Sequence, residues 1–366
     1  MKILFFSDLH AWVRHGLYGI QYVEQMRGTF SLISDLVREH RPDFVAFLGD
    51  VFHTQDSIDV PSLNVVVEGF KQVLGAGADV YALTGNHDMY DKGGTVWTST
   101  TALVDLRDDS AGARLHVVSG ERVIDLPNGF KILAAPYSEI GYEPVRDVHF
   151  MIGHLPVSGA MYEPGGLTED HGIDPSIDDA PQDAITYVGG HYHHPQIVGQ
   201  SLIVGAPLYI NYKDHIVDKP RGAVLLSLDS VRVPVQSDFQ WFENPHARPV
   251  ATVRAGTHAE AEDQLKSLKA LSEVPVENWT VRVQLPTAEA EHLDGRRVPR
   301  GMPVSIIPDD PPSVVARSDI TAQTTPEDAF NEYLRQVPPQ RLETRVKKAG
   351  LEILKQVQRG DFDERD

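Results

Sequence analysis

Five short apolar segments in the first 200 residues each lead into residues that can bind a metal ion or exchange a proton. Residues 80–83 are the clearest example, because Gly85, Asn86, His87 and Asp88 follow one position later. The other four segments are followed in turn by Asp8 and His10, by Asp50 and His53, by His154, and by His191 and His193. Parallel strands present their carboxyl ends at one edge of a sheet. The pattern therefore predicts a buried sheet with a single ligand-rich rim.

Residues 1 to about 235 alternate between predicted strands and predicted helices, as in an α/β fold. Residues 44–48 are apolar on both faces, which is typical of a central strand covered by helices. Helical spacing of apolar residues predicts one helix around residues 30–37 and a second that starts near Pro61. A further helix is expected over residues 97–106. The second half of a two-sheet sandwich is predicted from short strands at residues 115–118, 122–126 and 131–135.

The composition restricts the kind of site that the chain can form. The 366 residues include no cysteine, so a metal ion would be held by nitrogen and oxygen ligands. The apolar fraction of 41% fits a globular protein, and no apolar segment approaches the roughly 20 residues of a membrane span. The net charge of -19 argues against an evenly basic surface for nucleic acid, although carboxylate-bound cations can still meet phosphate. With no signal segment evident, we expect a cytoplasmic location and no membrane partner.

The chain is long enough for more than one domain. A strand at residues 250–254, a capping sequence that opens a helix at Thr257, and an alternating strand at residues 279–285 predict a small β-α-β domain. Two amphipathic stretches in the tail either pack on the main domain or dock to a partner. We predict a main domain over residues 1–238, a small cap domain over 239–290, a proline-rich linker over 291–322 and a helical tail over 323–366.

The spacing of the polar residues predicts how they would hold metal ions. Asp8 and His10 are separated by one residue, as are His191 and His193, so each pair can face one ion from an extended segment. Asp50 is the best candidate for a bridging carboxylate, because each of its oxygens can bind one ion. Mn²⁺, Zn²⁺ and iron all accept imidazole, carboxylate and amide ligands. A single histidine after a strand is more often packed or solvated than ligating, but five such segments together favour a metal site.

Three residues near the predicted ligands could take part in the chemistry. His87 follows a candidate ligand, so its imidazole could donate a proton to a leaving oxygen. Asp88 could orient His87, or it could be an ordinary carboxylate at a helix start. His53 lies near Asp50 and could position a phosphate. We leave out His194, because adjacent side chains on an extended segment point apart.

These residues, in this order, resemble the calcineurin-like metallophosphoesterase superfamily, whose pattern is D-x-H, G-D-x-x-H/D, G-N-H-D/E, G-H and G-H-x-H. All five elements are matched between Asp8 and His193. The resemblance implies a four-layer α-β-β-α sandwich with a small α+β cap domain and a C-terminal helical pair. It also implies a catalytic role for His87 and two divalent metal ions, Mn²⁺ first and otherwise Mg²⁺, Zn²⁺ or iron. The implied ligands are Asp8, His10, Asp50 and His193 for one ion and Asp50, Asn86, His154 and His191 for the other.

Within this superfamily the sequence is similar to the Mre11/SbcD nuclease branch, and especially to the T4-type phage recombination nuclease subunit. The similarity is carried by Gly49-Asp50-Val51-Phe52-His53 with its extra histidine, by Gly190-His191-Tyr192-His193, and by Gly205-Ala206-Pro207 with the later Pro220-Arg221-Gly222. It implies a metal-dependent DNA nuclease of a repair and recombination complex. The implied partners are DNA, which the cap domain would contact, a Rad50/SbcC-like ATPase, to which the tail would dock, and a second copy of the chain.

The sequence leaves two alternative functions open. A stand-alone phosphodiesterase or phosphatase on small nucleotides or phosphoproteins would have the same metal site and no need of the tail beyond residue 322. A mainly structural subunit that bridges DNA ends would tether DNA even when its metal ligands are replaced. For a homodimer, the predicted helices at residues 61–74 and 97–106 are the candidate surface, although most of their apolar residues are expected to pack in the core.

Overall fold

A computed structural model describes residues 1–13, 21–92, 95–108, 110–126, 128–138, 148–163, 166–167, 173, 181–211, 220–268, 279–290 and 304–308. The chain divides into two compact units, Met1–Pro308 and Asp309–Asp366, and every described residue belongs to the first. The predicted helical tail over residues 323–366 therefore lies outside the described residues, as does most of the predicted linker.

The described helices are α1 (Gln21–His40), α2 (Val60–Gly75), α3 (His258–Leu268) and α4 (Thr287–Ala290), with 3₁₀ helices at Asn86–Asp88, Ser99–Leu103 and Gln236–Asp238. The strands are β1 (Lys2–Phe6), β2 (Phe44–Phe47), β3 (Val80–Leu83), β4 (Met89–Lys92), β5 (Thr95–Thr98), β6 (Arg107–Asp108), β7 (Ala113–Val118), β8 (Arg122–Asp125), β9 (Lys131–Ala135), β10 (Phe150–Gly153), β11 (Met161–Glu163), β12 (Gly166–Leu167), β13 (Tyr187–Gly189), β14 (Gln196–Val198), β15 (Ser201–Ile203), β16 (Gly222–Ser227), β17 (Phe239–Glu243), β18 (Val250–Arg254), β19 (Thr280–Leu285) and β20 (Val304–Pro308). Among these helices, none is long and apolar enough to cross a membrane.

The first sheet contains seven strands in the order β17-β16-β1-β2-β3-β7-β6. β1, β2, β3 and β7 are parallel to one another. β16 lies antiparallel beside β1, and β17 lies antiparallel beside β16. The predicted helices α1 and α2 are confirmed and cover one face, where Phe30 and Phe70 pack against Phe6. α2 begins after Asp59, whose carboxylate accepts the backbone N–H of Ser62 at 2.8 Å as an N-terminal cap.

The second sheet contains six strands in the order β14-β15-β13-β10-β9-β8. Between the two sheets lies an apolar core that includes Phe5 and Phe44 from the first sheet and Ile132, Ile152 and Val188 from the second. This confirms the predicted α/β sandwich. One strand differs from its prediction, because β7 pairs with β3 in the first sheet and not with the strands of the second. A short apolar strand does not specify its partner, so β7 could not be told from β8 and β9 by pattern.

The other face of the second sheet carries its own apolar cluster. Leu155 and Val157 from the segment after β10 pack there against Ala135, Tyr187 and Tyr192. The alternation of side chains along β13 explains this, because Val188 points into the inter-sheet core while Tyr187 points away from it. Helices of the predicted fourth layer are not among the residues that the structure describes.

β18, β19 and β20 form a separate parallel sheet of three strands. α3 lies between β18 and β19 in the chain, so the β-α-β unit predicted from the sequence is present. Val281, Val283 and Leu285 alternate into a small core with Leu265 and Trp279. β20 lies within residues 291–322, which were predicted as a linker. The linker prediction therefore does not hold for residues 304–308, whose backbone pairs with β19 despite the surrounding prolines.

The prediction of a helix over residues 97–106 is wrong. β4 and β5 form a hairpin in which Tyr90 pairs with Trp97, and a 3₁₀ helix at Ser99–Leu103 follows. Three threonines and a serine at residues 98–101 explain the error. Such side chains lose rotamer freedom in a helix or compete for its backbone hydrogen bonds.

Candidate metal centre

The segments that follow five strands bring the predicted ligands to one rim. Asp8 and His10 follow β1, Asp50 follows β2, Asn86 follows β3, His154 follows β10, and His191 and His193 follow β13. Asp8, His10, Asp50 and His191 have φ angles of 51°, 45°, 58° and 79°. Left-handed backbone is costly for residues with a Cβ and is concentrated at functional sites. Strain is thus found at the strand ends that carry the predicted ligands.

Two glycines allow the loops of the rim to approach each other. A Cβ on Gly85 would lie 2.2 Å from Oδ1 of Asp50, and a Cβ on Gly49 would lie 2.4 Å from Nδ1 of His154. Gly49 also has a φ of 103°, a conformation that favours glycine. The glycines that precede Asp50 and Asn86 in the sequence motifs therefore let the loops after β2, β3 and β10 meet.

Asp8, His10 and His193 form what we call the first donor group, with one atom of each lying within 4.8 Å of the others. Nε2 of His193 is 3.2 Å from Nε2 of His10, which in turn is 3.9 Å from Oδ1 of Asp8. The carboxylate of Asp8 accepts the backbone N–H of His191 at 3.1 Å. The contact ties the end of β1 to the end of β13, so the first donor group joins the two sheets.

Asp50, Asn86, His154 and His191 form the second donor group. Oδ1 of Asn86 is 3.1 Å from Nε2 of His154 and 3.0 Å from Nδ1 of His191. Oδ2 of Asp50 is 3.3 Å from Nε2 of His154. Asp50 and His154 are almost fully buried, whereas Asn86 and His191 are partly exposed. The second donor group therefore has one side that solvent or a substrate can reach.

The distances between donor atoms fit two divalent ions. Two ligands that each bind an ion at about 2.1 Å lie about 3.0–3.4 Å apart in octahedral or tetrahedral geometry. In the closest pairs described above, the two donor atoms are 3.0 to 3.3 Å apart. Oδ2 of Asp50 is also 3.3 Å from Nε2 of His10, so this carboxylate faces both groups, as a bridging ligand must. The ligands predicted from the sequence therefore lie close enough together to share ions.

Burial sets the protonation state of several ligands. It lowers the pKa of His10 well below its usual value, and burial with the charge of His154 lowers the pKa of His191 to about 3. Both rings are neutral at pH 7 and keep a lone pair for a metal ion. Burial raises the pKa of Asp8 to about 6, with the charge of Asp50 adding to this effect and His154 opposing it.

His154 differs from the other ligand histidines. Burial opposes its positive charge, but the charge of Asp50 and the hydrogen bond to it prevail and raise the pKa of His154 to about 9. Burial would likewise raise the pKa of Asp50, yet the charge of His154 holds that pKa well below its usual value. Nδ1–H of His154 donates to the backbone carbonyl of Leu48 at 2.6 Å, which leaves Nε2 facing Asp50. A cation bound to Asp50 and Nε2 would therefore replace the proton of His154.

His87 and His53 lie beside the first donor group. Because a carbonyl accepts and cannot donate, Nδ1 of His87 carries the proton in its 2.7 Å hydrogen bond to the backbone carbonyl of His53. Nε2 of His87 is the ring nitrogen left to exchange a proton with a substrate. Nδ1 of His53 is 3.4 Å from Nδ1 of His10, and burial, with the charges of His87 and His193, lowers the pKa of His53. Nitrogens of His10, His53 and His87 also lie within 4.8 Å of one another, which makes these rings a rival set of ligands.

Asp88 lies two residues after Asn86 and is fully buried. Burial, with the charge of Asp50, raises its pKa to about 6. Its carboxylate accepts hydrogen bonds of 3.0 to 3.2 Å from the backbone N–H groups of Val51, Phe52 and Gly85 and from the hydroxyl of Ser99. The ring of His87 is held by the carbonyl of His53 instead. Asp88 thus joins the loops after β2 and β3 and accepts the N–H of Gly85 at the start of the 3₁₀ helix, which is the second of the two roles that the sequence left open.

Two aromatic residues that the sequence did not single out pack against the site. Trp12 stacks on His53, with ring centroids 4.8 Å apart and planes 18° apart. Tyr137 stacks on His191, with centroids 6.1 Å apart and planes 29° apart. The position of Trp12, two residues after His10, was a signal that could have been used. Tyr137 follows β9, which carries no ligand motif, so only the fold reveals its contact with the centre.

Comparison with known proteins agrees with this geometry. The calcineurin-like phosphoesterase family matches residues 1–195, more than half of the 366 residues and every segment that carries a donor. No curated protein matches the sequence. Among solved structures, Yfce, a phosphoesterase from E. coli, is similar over 65% of this chain and 95% of that chain, with 17% identity and a TM-score of 0.29. A TM-score this low adds no argument of its own.

Metallophosphoesterases use a binuclear metal centre, which the two donor groups fit. Every predicted ligand lies in one of these groups, and His87 and His53 lie next to them. The chain therefore belongs to the calcineurin-like phosphoesterase family, whose members hydrolyse phosphoesters with the help of metal ions.

Proposed function

We propose that the protein is a metal-dependent DNA nuclease, the nuclease subunit of an Mre11–Rad50-like repair and recombination complex. The observation that carries the proposal is the pair of donor groups with two further imidazoles, His87 and His53, beside them. The extra histidine of the second motif, His53, is one of the features by which the sequence resembles the Mre11/SbcD branch. Such a subunit would act on DNA in the cytoplasm.

Bound divalent ions would supply Lewis-acid activation of water and neutralise charge on the phosphoryl oxygens. Asp50, whose Oδ2 faces donors of both groups, would be the ligand shared by the two ions, while the backbone N–H of His87 donates to its Oδ1 at 2.8 Å and fixes the carboxylate. Nε2 of His87 would give a proton to the departing 3′ oxygen, since Nδ1 is already held by His53. His53 would accept from Nδ1 of His10 and thereby orient that ligand.

The proposed partners are DNA, a Rad50/SbcC-like ATPase and a second copy of the chain. The small three-stranded sheet (β18–β20) would act as the DNA-contacting cap, and the tail over residues 323–366 would dock to the ATPase. Mn²⁺ is the ion that we propose first, because imidazole, carboxylate and amide oxygen together suit it.

The test is Mn²⁺-dependent hydrolysis of linear double-stranded DNA, compared with that of a generic aryl phosphodiester. Each substrate is assayed with and without the ATPase encoded nearest to the gene, in the presence of ATP. DNA degradation that the ATPase stimulates, and that is uncoupled from it by deletion of residues 323–366, supports the proposal. Hydrolysis of the small diester alone, indifferent to the ATPase and to the deletion, would identify a stand-alone phosphodiesterase.

A further inference from the structure

A buried arginine contacts the backbone of one ligand of the first donor group. Arg221 is 4% exposed, and its Nη1 donates to the backbone carbonyl of His193 at 2.7 Å. The same nitrogen lies 3.3 Å and 3.2 Å from the backbone carbonyls of Ala206 and Leu208. We propose that Arg221 is a positioning residue that fixes His193 against His10 and so sets the geometry of the first donor group.

The topology explains why this contact matters. His193 follows β13 in the second sheet, whereas Arg221 directly precedes β16 in the first sheet. β16 pairs antiparallel with β1, the strand that leads to Asp8 and His10. The hydrogen bond from Arg221 to His193 therefore connects the two sheets beside the point where Nε2 of His193 lies 3.2 Å from Nε2 of His10.

The guanidinium of Arg221 is itself held in place. It lies over the ring of Tyr209, with the guanidinium carbon 4.4 Å from the ring centroid. The backbone carbonyl of Arg221 accepts the N–H of Asn244 at 2.7 Å, and the carbonyl of His193 accepts a second N–H, from Ala206, at 3.1 Å. A planar guanidinium stacked on an aromatic ring keeps its donors in fixed directions, which a flexible ammonium does not. Arg221 can thus hold the His193 backbone rigidly.

The experiment measures Mn²⁺ binding to the full chain by isothermal titration calorimetry. We expect Arg221→Met to weaken binding of one of the two ions by about 10- to 100-fold, the usual effect of removing a group that orients a ligand. Arg221→Lys keeps the positive charge but not the planar guanidinium. Its Mn²⁺ affinity should lie between those of the wild type and Arg221→Met. Arg221→Lys also provides the test if Arg221→Met does not fold. Wild-type Mn²⁺ affinity in the folded Arg221 variants would overturn the proposal.

Asn244→Ala is the matched control. Nδ2 of Asn244 donates to the carbonyl of Pro207 at 3.0 Å and to Oγ1 of Thr29 at 2.8 Å, so the variant loosens the same loop without removing the hydrogen bond from Arg221 to His193. It should lower the melting temperature and leave Mn²⁺ binding unchanged. Equal loss of Mn²⁺ affinity in Asn244→Ala would assign the effect to general loop stability and overturn the proposal.

A double-mutant cycle separates positioning from stability. In a His193→Ala background, Arg221→Met should cause no further loss of Mn²⁺ affinity, because the ligand that it positions is already gone. Additive losses would contradict the proposal. The inference rests on the metal centre of the proposed function and not on its DNA substrate. Because metal binding is measured, failure of the DNA assay and failure of this experiment are distinguishable.

Discussion

Each donor group combines one aspartate with two histidines, and the second adds Asn86, but the two groups hold different charge when no metal ion is bound. In the first group the rings of His10 and His193 face each other at 3.2 Å, and burial lowers the pKa of His10. In the second group His154 lies against Asp50, which raises the pKa of His154 to about 9. A cation entering the second group must displace a proton from an imidazole, whereas a cation entering the first finds a neutral ring in His10. Identical ligand types can therefore respond differently to pH.

Replacing the residue that both groups share should have the largest effect. Asp50→Asn removes the negative charge that faces His10 and His154. We expect phosphodiesterase activity to fall by at least about 10³-fold, as when a preorganised charge-stabilising group is lost. Steady-state hydrolysis of an aryl phosphodiester with saturating Mn²⁺ measures this, with circular dichroism to confirm the fold. The exposed carboxylate Asp35, paired with Arg38, provides the control Asp35→Asn. Retained activity in Asp50→Asn would show that the enzyme does not need a bridging carboxylate at this position.

Replacing a residue that belongs to neither donor group should separate catalysis from metal binding. His87→Ala is expected to lower kcat by about 10²–10³-fold, within the range for loss of a general acid or base. Mn²⁺ affinity, measured by calorimetry, should change little. His116→Ala is the control, because His116 is partly exposed and paired with Asp79 away from the rim. A large loss of Mn²⁺ affinity in His87→Ala would instead favour the rival ligand set of His10, His53 and His87.

The proton on His154 should make metal binding depend on pH. The pKa of about 9 means that the metal-free ring is protonated at pH 7, so binding releases about one proton and Mn²⁺ affinity rises by up to about tenfold per pH unit until about pH 9. In the metal-free protein the same raised pKa contributes stability that is complete below about pH 6.5 and is lost as the pH rises through about 9.

Calorimetry at pH 7 in buffers with different ionisation enthalpies counts the protons released on Mn²⁺ binding. His154→Gln should abolish this release along with much of the affinity. Release of no proton by the wild-type protein would mean that the two donor groups do not differ as described.

The smallest effect is expected from replacing Asp88, which is buried and belongs to neither donor group. Asp88→Asn keeps the size of the side chain but places an amide N–H₂ against backbone N–H groups that the carboxylate now accepts. The free energy of unfolding should fall by about 1–3 kcal/mol, the usual effect of leaving buried polar groups unpaired. Urea denaturation of the metal-free protein measures this. Loss of activity without loss of stability would instead show that Asp88 takes part in catalysis.

The sequence could predict which candidate ligands would meet, because these residues follow buried strands and a parallel sheet brings strand ends together. Asp8, Asp50, Asn86, His154 and His191 were all found in this way. The contacts of Asp88 with the loop after β2 could not be found, since its partners Val51 and Phe52 lie 37 and 36 residues away in the chain. Contacts of that kind depend on loop packing, which hydrophobic periodicity does not report.

The same limit explains the other differences between expectation and structure. Apolar spacing over residues 97–106 suggested a helix, but local side-chain preferences of the threonines favour a strand and a 3₁₀ turn. β7 and β20 are short apolar segments whose partners are set by topology. Arg221 was noted as part of a motif, yet its hydrogen bond to His193 spans 28 residues and two sheets.

The most direct test of the central claim is a crystal structure of the protein grown with Mn²⁺, with anomalous diffraction used to locate the ions. We expect two ions, with Asp50 bound to both. One would also contact Asp8, His10 and His193, and the other would contact Asn86, His154 and His191. A single ion, or an ion held by His10, His53 and His87, would contradict the binuclear centre described here.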